Sequence, residues 1–284
     1  MKAATVRAGL RAALFLSLTL SLVAVYPLAI LLGRRARFLV RRAWSRSTCR
    51  ILGVRRTVHG AAFTACPTML VANHVSYLDI VILGSFSDAI FVAKSEIEGW
   101  PLFGFIARLT GTMFVKRHWR QALVQRNAIA ARMRDADESF VLFAEGTSSN
   151  GLAVKPFKTS LLSVVEPWVV DRPVAAQAVT LAYRRLKDGT PFSLANCDLF
   201  AWYADMPFTP HLWELLKQPG LEVEVEFREP VMSWSVAGRK ALAKELQAEI
   251  ATRLAALRGA ASLTELPEAD RATGEVGQAT AAQH

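Results

Sequence analysis

A chain of 284 residues with 52% apolar content and a formal charge of +10 holds material for one good-sized core and an apolar segment besides. The charge is one-sided: residues 1–78 carry 12 Lys and Arg and no Asp or Glu, leaving 22 basic against 24 acidic side chains for the remainder. Cys49, Cys66 and Cys197 are far apart and form no CxxC, which argues against a disulfide framework or a zinc site and is compatible with a reducing cytoplasm.

Ala12–Gly33 runs 22 residues without a charge. As a helix it reaches about 33 Å, enough to cross a bilayer core. No clean small-x-small cleavage site follows it, and the basic run "RRARFLVRR" after it opposes export and keeps the following chain in the cytoplasm. Pro27 also permits a hairpin dipping into one leaflet. Residues 36–52 mix apolar side chains with arginines, as in a helix lying at the interface with its guanidinium groups at the lipid headgroups. A basic block can also mean nucleic acid, but one that brackets an apolar helix points to an anionic membrane, and no nucleic-acid partner is expected.

Beyond the anchor, "TMLVAN" (68–73), "AIFVAK" (89–94), "TMFVK" (112–116), "SFVLFAE" (139–145) and "VAAQAVTLAY" (174–183) read as buried strands. "LEVEVEF" (221–227) alternates strictly and reads as a half-buried strand near an edge. Residues 119–136 read as a helix with Leu123, Ile129 and Met133 on its apolar stripe. Ser235 caps a last helix through about Leu257, with Leu242, Leu246, Ile250 and Leu254 inward. The fold class is α/β: a central largely parallel or mixed sheet flanked by helices, with an N-terminal membrane-embedded helical segment. The division is a membrane anchor and basic interfacial helix at 1–58, an α/β domain at 59–258 and a disordered tail at 259–284.

The chain has no GxSxG elbow, Walker A loop, GxGxxG or HExxH. What it has is "NHVSYLD" (73–79), where Asp79 is the first acidic residue of the chain. On a continuous helix His74 and Asp79 would lie about 140° apart, so they meet only if the chain bends between them. A strand end at Ala72, a loop through Val75 and a helix from near Ser76 would bring them together. Ser76 to Asp79 also matches a capping box, and the structural and catalytic readings are compatible. A His–Asp pair with no neighbouring Ser or Cys nucleophile suits a general base acting on a substrate hydroxyl. No second His stands at ligand spacing, so no metal is expected. "GTMFVKR" (111–117) ends in Lys116 and Arg117, and "FAEGTSSNG" (143–151) places a Glu-Gly-Thr turn at a strand end, followed by Lys155 and Lys158. Each is a substrate contact or an ordinary turn or solvated charge. The order of the three blocks at successive strand ends is that of an open α/β active site.

These blocks resemble the glycerolipid acyltransferases related to bacterial 1-acylglycerol-3-phosphate acyltransferase, over roughly residues 65–185. The resemblance implies His74 as base and Asp79 as its partner. It implies Arg117 as a headgroup contact and Glu145, Gly146 and Thr147 as acceptor-site residues; Lys116 and Lys158, from the residues themselves, are further candidate contacts. It implies a membrane-bound O-acyltransferase that binds no cofactor, uses an acyl-carrier-protein or coenzyme A thioester as co-substrate, and forms no acyl-enzyme. A non-catalytic lipid-binding protein on the same fold is the alternative. The third block departs from the family pattern: Ala144 stands for a proline and Ser148 for an arginine expected at an acceptor phosphate. "EGTSSNG" and "WYADMPFTPHLWELL" resemble the branch that acylates lyso-ornithine lipid, whose headgroup has no phosphate. Acceptors are therefore 1-acylglycerol-3-phosphate or lyso-ornithine lipid, at the cytoplasmic face of the inner membrane. Trp100, Pro101, Leu102, Phe103 and Phe105 either line an acyl groove or pack the core, and His211 is expected to be structural.

Overall fold

The computed structural model describes residues 2–100, 103–116 and 119–259. Seven strands form one mixed sheet in the order β1-β7-β6-β2-β5-β3-β4. They are β1 (Val54–His59), β2 (Thr68–Ala72), β3 (Ile90–Lys94), β4 (Met113–Val115), β5 (Phe140–Phe143), β6 (Ala175–Leu186) and β7 (Leu221–Met232). All neighbours are parallel except β6 and β7. The helices are α1 (Lys2–Leu31), α2 (Arg34–Leu52), α3 (Leu78–Leu83), α4 (Phe103–Leu109), α5 (Ala122–Ala136), α6 (Phe208–Lys217) and α7 (Arg239–Arg258).

The sheet is covered on both faces, which is why β2 is apolar and buried along its whole length. Leu70 and Ala72 pack on the side of α2, α3 and α6, while Met69 and Val71 pack on the side of α5 and α7. Burial on both faces leaves the loops after the carboxyl ends of β2 and β5 as the place where polar side chains can gather.

β7 lies near an edge as expected, one strand in: β1, the edge strand itself, pairs with it in parallel from Val54 against Leu221 to His59 against Glu226. β1 escapes the sequence reading because "VRRTVH" buries only Val54, so it carries little apolar signal. The 58/59 division drawn from sequence falls inside this strand. The glutamate face of β7 is engaged throughout: Glu222 pairs with Arg55 and Arg185, Glu224 pairs with Arg184 and lies 3.0 Å from His59 Nε2, and Glu226 pairs with Arg228 and Arg253.

Ser235 does not cap α7. Its hydroxyl donates to the Met232 carbonyl, and the helix begins after Gly238, with Glu166 Oε1 accepting the Arg239 N–H at 3.1 Å. The stripe Leu242, Leu246, Ile250 and Leu254 is buried as expected. On α5, Ile129 and Met133 are buried but Leu123 is 58% exposed, one turn short of the packed part. The tail from residue 260 lies outside the described residues.

α1 lies along the domain. Near its start, Arg7 and Arg11 donate to the carbonyls of Lys217, Leu216, Gln218 and Pro219, the unsatisfied end of α6. At mid-helix, Thr19 accepts the Trp44 indole N–H of α2 at 3.2 Å. Toward its end, Leu22, Tyr26 and Ala29 pack on Ile106 of α4. The opposite stripe, including Leu10, Leu16, Leu20, Leu28 and Leu31, is exposed. Some arginines assigned to headgroups from sequence serve the domain instead: Arg41 donates to the Asp88 and Thr110 carbonyls and Arg42 to that of Ser85. Free carbonyls at element ends are competing acceptors that a linear sequence does not reveal.

Candidate active site

β2 ends at Ala72, and Asn73 extends its pairing with a side chain: Nδ2 donates to the Leu181 carbonyl at 2.9 Å and Oδ1 accepts the Leu181 N–H at 2.8 Å. The chain then turns, and α3 begins at Leu78 with Asp79 in its first turn. The turn brings His74 Nδ1 to 2.8 Å from Asp79 Oδ2. The same oxygen accepts the N–H groups of Val75 at 2.7 Å and Ser76 at 3.0 Å. The capping box is thus half formed. Asp79 reaches back to Ser76, but the Asp79 N–H is bonded to the Ser76 carbonyl, so the serine hydroxyl does not complete it.

Asp79 is fully buried, and the remaining oxygen, Oδ1, accepts the Tyr183 hydroxyl at 2.8 Å. Four donors therefore compensate a carboxylate taken out of water. Burial, with Asp79 adding to it, pushes the Tyr183 phenol well above its usual range, so it stays protonated and donates. Tyr183 was missed from sequence. The available signal was a hydroxyl-bearing aromatic at the end of a run of otherwise buried apolar residues in β6.

The third block supports the first. Glu145 is buried; Oε1 accepts the His74 N–H at 2.7 Å and Oε2 accepts the Lys155 N–H at 3.0 Å. Ser149 N–H donates to the His74 carbonyl at 2.8 Å, so the His74 backbone is gripped from both sides. Burial lifts the Glu145 carboxyl from its ordinary 4.5 to about 7, with its backbone donors opposing the rise. Gly146 adopts φ +68, which favours glycine, and closes the turn with its N–H on the Phe143 carbonyl. The Phe143 ring stacks on the His74 imidazole, centroids 4.0 Å apart at 14°.

Among the sequence-derived residues, His74, Asp79 and Glu145 are in direct contact, and Gly146 and Thr147 form the adjoining turn. Both Glu145 oxygens are engaged by backbone donors, so its contribution is to hold the loop. Lys116 and Lys158 are exposed, and their recorded bonds are through the main chain. Lys155 Nζ donates to the Ser148 carbonyl at 3.0 Å. Arg117, Pro101 and Leu102 lie outside the described residues. His211 is buried, and its Nδ1 lies 2.9 Å from the Tyr77 hydroxyl, behind the loop of His74. Burial keeps its imidazole below the usual value and the Tyr77 phenol protonated, so Tyr77 is the donor.

Beside this loop lies an apolar cavity of about 340 Å³ between α1, α2, α3, α4, α6 and β3. Tyr77 and Phe91 line it next to the His74–Asp79 loop, and Phe91 stacks on Phe143 behind His74. Trp100 and Phe103 also line it, whereas Phe105 is 47% exposed and does not.

An acyltransferase family profile matches residues 55–177. A lyso-ornithine lipid O-acyltransferase of Brucella abortus is 36% identical over 269 residues, 93% of this chain and 99% of that protein. A protein of the same name from Rhizobium meliloti is 37% identical, over 84% of this chain and 82% of its own length. A 1-acyl-sn-glycerol-3-phosphate acyltransferase of Neisseria gonorrhoeae is 30% identical over 56% of this chain and 58% of its own length. The crystal structure of the 1-acyl-sn-glycerophosphate acyltransferase of Thermotoga maritima shares the fold, with a TM-score of 0.55 at 21% identity, covering 86% of this chain and 95% of that one. With one relative aligned over 99% of its length and another over 82%, and the motif histidine and aspartate in contact, the non-catalytic reading is set aside: the chain belongs to the acyltransferase family and is an acyltransferase.

Proposed function

We propose that the protein moves a fatty acyl chain from a thioester of acyl-carrier protein or coenzyme A to the hydroxyl of a lysolipid, with lyso-ornithine lipid as acceptor. The observation that carries the chemistry is the 2.8 Å contact between His74 Nδ1 and Asp79 Oδ2. It commits Nδ1 to the carboxylate and leaves Nε2 to take the acceptor's hydroxyl proton. The oxygen attacks the thioester carbonyl, and collapse of the tetrahedral intermediate breaks the carbon–sulfur bond. The imidazolium then returns its proton to the leaving thiolate. Asp79 orients the ring and stabilises its charged form, and no acyl-enzyme is required. The apolar cavity beside Phe91 suits the acyl chain.

Two observations support lyso-ornithine lipid over 1-acylglycerol-3-phosphate. The relatives aligned over most of this chain carry that name. Position 148 is also a buried serine whose carbonyl is bound by Lys155, instead of the arginine that would meet a phosphate. Losing a charge-assisted donor costs about 1.5–3 kcal/mol of phosphate binding.

The membrane reading is a helix embedded in one leaflet. α1 is long and apolar enough to span, but its first turns hold α6 and its last turns pack on α4, so both ends stay on one domain. The basic run at 34–42 favours the anionic cytoplasmic leaflet of the inner membrane.

The test is the full-length protein in detergent with a thioester of acyl-carrier protein or coenzyme A labelled in its acyl chain, offered each acceptor separately. Transfer to lyso-ornithine lipid, abolished in His74→Ala, is expected. Equal or faster transfer to 1-acylglycerol-3-phosphate would overturn the acceptor, and wild-type turnover by His74→Ala would overturn the mechanism.

A further inference from the structure

At the end of the strands opposite His74, the starts of β3 and β5 meet the junction of α1 and α2 around a second, polar cavity of about 120 Å³. It lies about one strand length, roughly 15 Å, from the catalytic loop. Arg34, Arg37, Arg41 and Arg132 line it against two carboxylates, Asp88 and Glu138. Those carboxylates are taken: Glu138 holds Arg132 at 2.5 Å and Asp88 holds Arg34 at 3.4 Å, while Asp137, just outside the cavity, reaches Arg34 at 3.5 Å and is shared with Arg172 at 3.0 Å.

Two guanidinium groups therefore lack a counter-charge. Arg41 spends its Nη atoms on the neutral carbonyls of Asp88 and Thr110, and its Nε is buried without a hydrogen-bond partner. Arg37, half-buried beside it, has no carboxylate partner among the described residues. Partly desolvated cations with an orphan donor are costly unless an anion joins them. The surplus of two charges exceeds what one carboxylate neutralises and matches a phosphoryl group, whose oxygens suit the guanidinium fork.

The surroundings indicate where such a group would come from. Tyr26 and Ile30 of α1 line the same cavity, and Leu31 and Leu32 beyond them are 83% and 69% exposed. We propose that this arginine pocket is a phosphoryl-binding site, separate from the acyl-transfer centre, that takes the headgroup phosphate of a neighbouring membrane phospholipid. The proposal does not depend on which lysolipid is acylated, since it concerns a cavity that His74 does not touch.

The experiment uses the full-length protein in neutral detergent, with thermal midpoints measured against dioctanoyl phosphatidylglycerol, dioctanoylglycerol and inorganic phosphate at constant ionic strength. Saturable stabilisation by the phosphatidylglycerol but not by dioctanoylglycerol is expected, with affinity about tenfold or more weaker in Arg37→Gln. Arg34→Gln, at an exposed position, gives a second arm with the same expected direction. Stabilisation by inorganic phosphate as strong as by the lipid would keep the phosphoryl site but overturn the headgroup as its source. Equal responses to the two lipids, or unchanged affinity in both variants, would overturn the site.

Discussion

Tyr183 donates its hydroxyl to Asp79 Oδ1 at 2.8 Å, on the edge of the carboxylate that His74 leaves free. The bond ties Asp79 to the adjacent strand β6, so the His74–Asp79 pair is fixed by the sheet as well as by its own loop. Tyr183→Phe keeps the ring and leaves a buried carboxylate oxygen without its donor. The expected loss is about 1–3 kcal/mol of stability. kcat should fall, but less than in a variant lacking the base. Urea unfolding together with steady-state rates checks both, and unchanged values for each would mean the bond contributes nothing.

His74→Ala removes the proposed base and should lower kcat by about 10²–10⁴. Asp79→Asn should also cost activity, because the amide no longer stabilises the imidazolium and its NH2 faces donors at Val75 and Ser76 or at Tyr183. Circular dichroism must show that both variants fold. A folded His74→Ala enzyme with native kcat would remove the imidazole from the chemistry.

Much of this site was legible from sequence because its parts are local. His74 and Asp79 lie five residues apart after an apolar strand, and a bend between them is the one way they can meet. The strands of the parallel portion were legible for a similar reason: burial on both faces makes them short apolar runs. β1 was not, because an edge strand with one buried residue has no such pattern. The roles of Tyr183 and Glu145 were hidden for another reason. Each is defined by a partner 104 or 71 residues away, and nothing in the neighbourhood of either residue names that partner. Arg41 and Arg42 read as headgroup contacts for the same reason, since the Asp88 and Ser85 carbonyls that accept from them are 47 and 43 residues distant.

Glu145 gives the enzyme a pH signature. Burial raises its carboxyl from 4.5 to about 7 in the folded protein. Below pH 4.5 both folded and unfolded forms hold the proton. Between 4.5 and 7 the unfolded form releases it first, so this group's contribution to stability falls as pH rises through that window. Glu145→Gln lacks the titration. The wild type should therefore lose stability relative to Glu145→Gln between pH 4.5 and 7, measured by urea unfolding across the range. A difference that is flat or rises with pH would contradict the assignment.

Deleting residues 1–35 is a confounded test of membrane binding, because Ala12 and Phe15 also form part of the apolar cavity wall. Charges on the outer stripe of α1 separate the two effects. Leu16 and Leu20 are 47% and 58% exposed. Leu16→Asp with Leu20→Asp should move much of the protein from the membrane to the soluble fraction while leaving the thermal midpoint in detergent nearly unchanged. Full membrane retention would show that another surface holds the protein there.

The depth of the apolar cavity suggests where acyl-chain length is read. β3 runs parallel to β5, and β5 to β2, so Ile90, Phe140 and Met69 lie at one level of the sheet. Ala89, one residue below that level, lines the cavity at its end away from His74, which follows the top of β2. The separation along the strands is about four residues, or roughly 13 Å. Ala89 is 3% exposed, so a larger side chain there must project into the cavity or displace its neighbours. Ala89→Leu should exclude the terminal methylenes of the longest donors. Each methylene lost costs about 0.8 kcal/mol of binding, roughly fourfold in kcat/KM. Short-chain donors should be used at close to the native rate, because they end before this level. Competition between short- and long-chain thioesters in one reaction measures the ratio directly. A uniform drop for all chain lengths would instead mean that the substitution had disturbed the packing around β3 and that the chain does not extend this way.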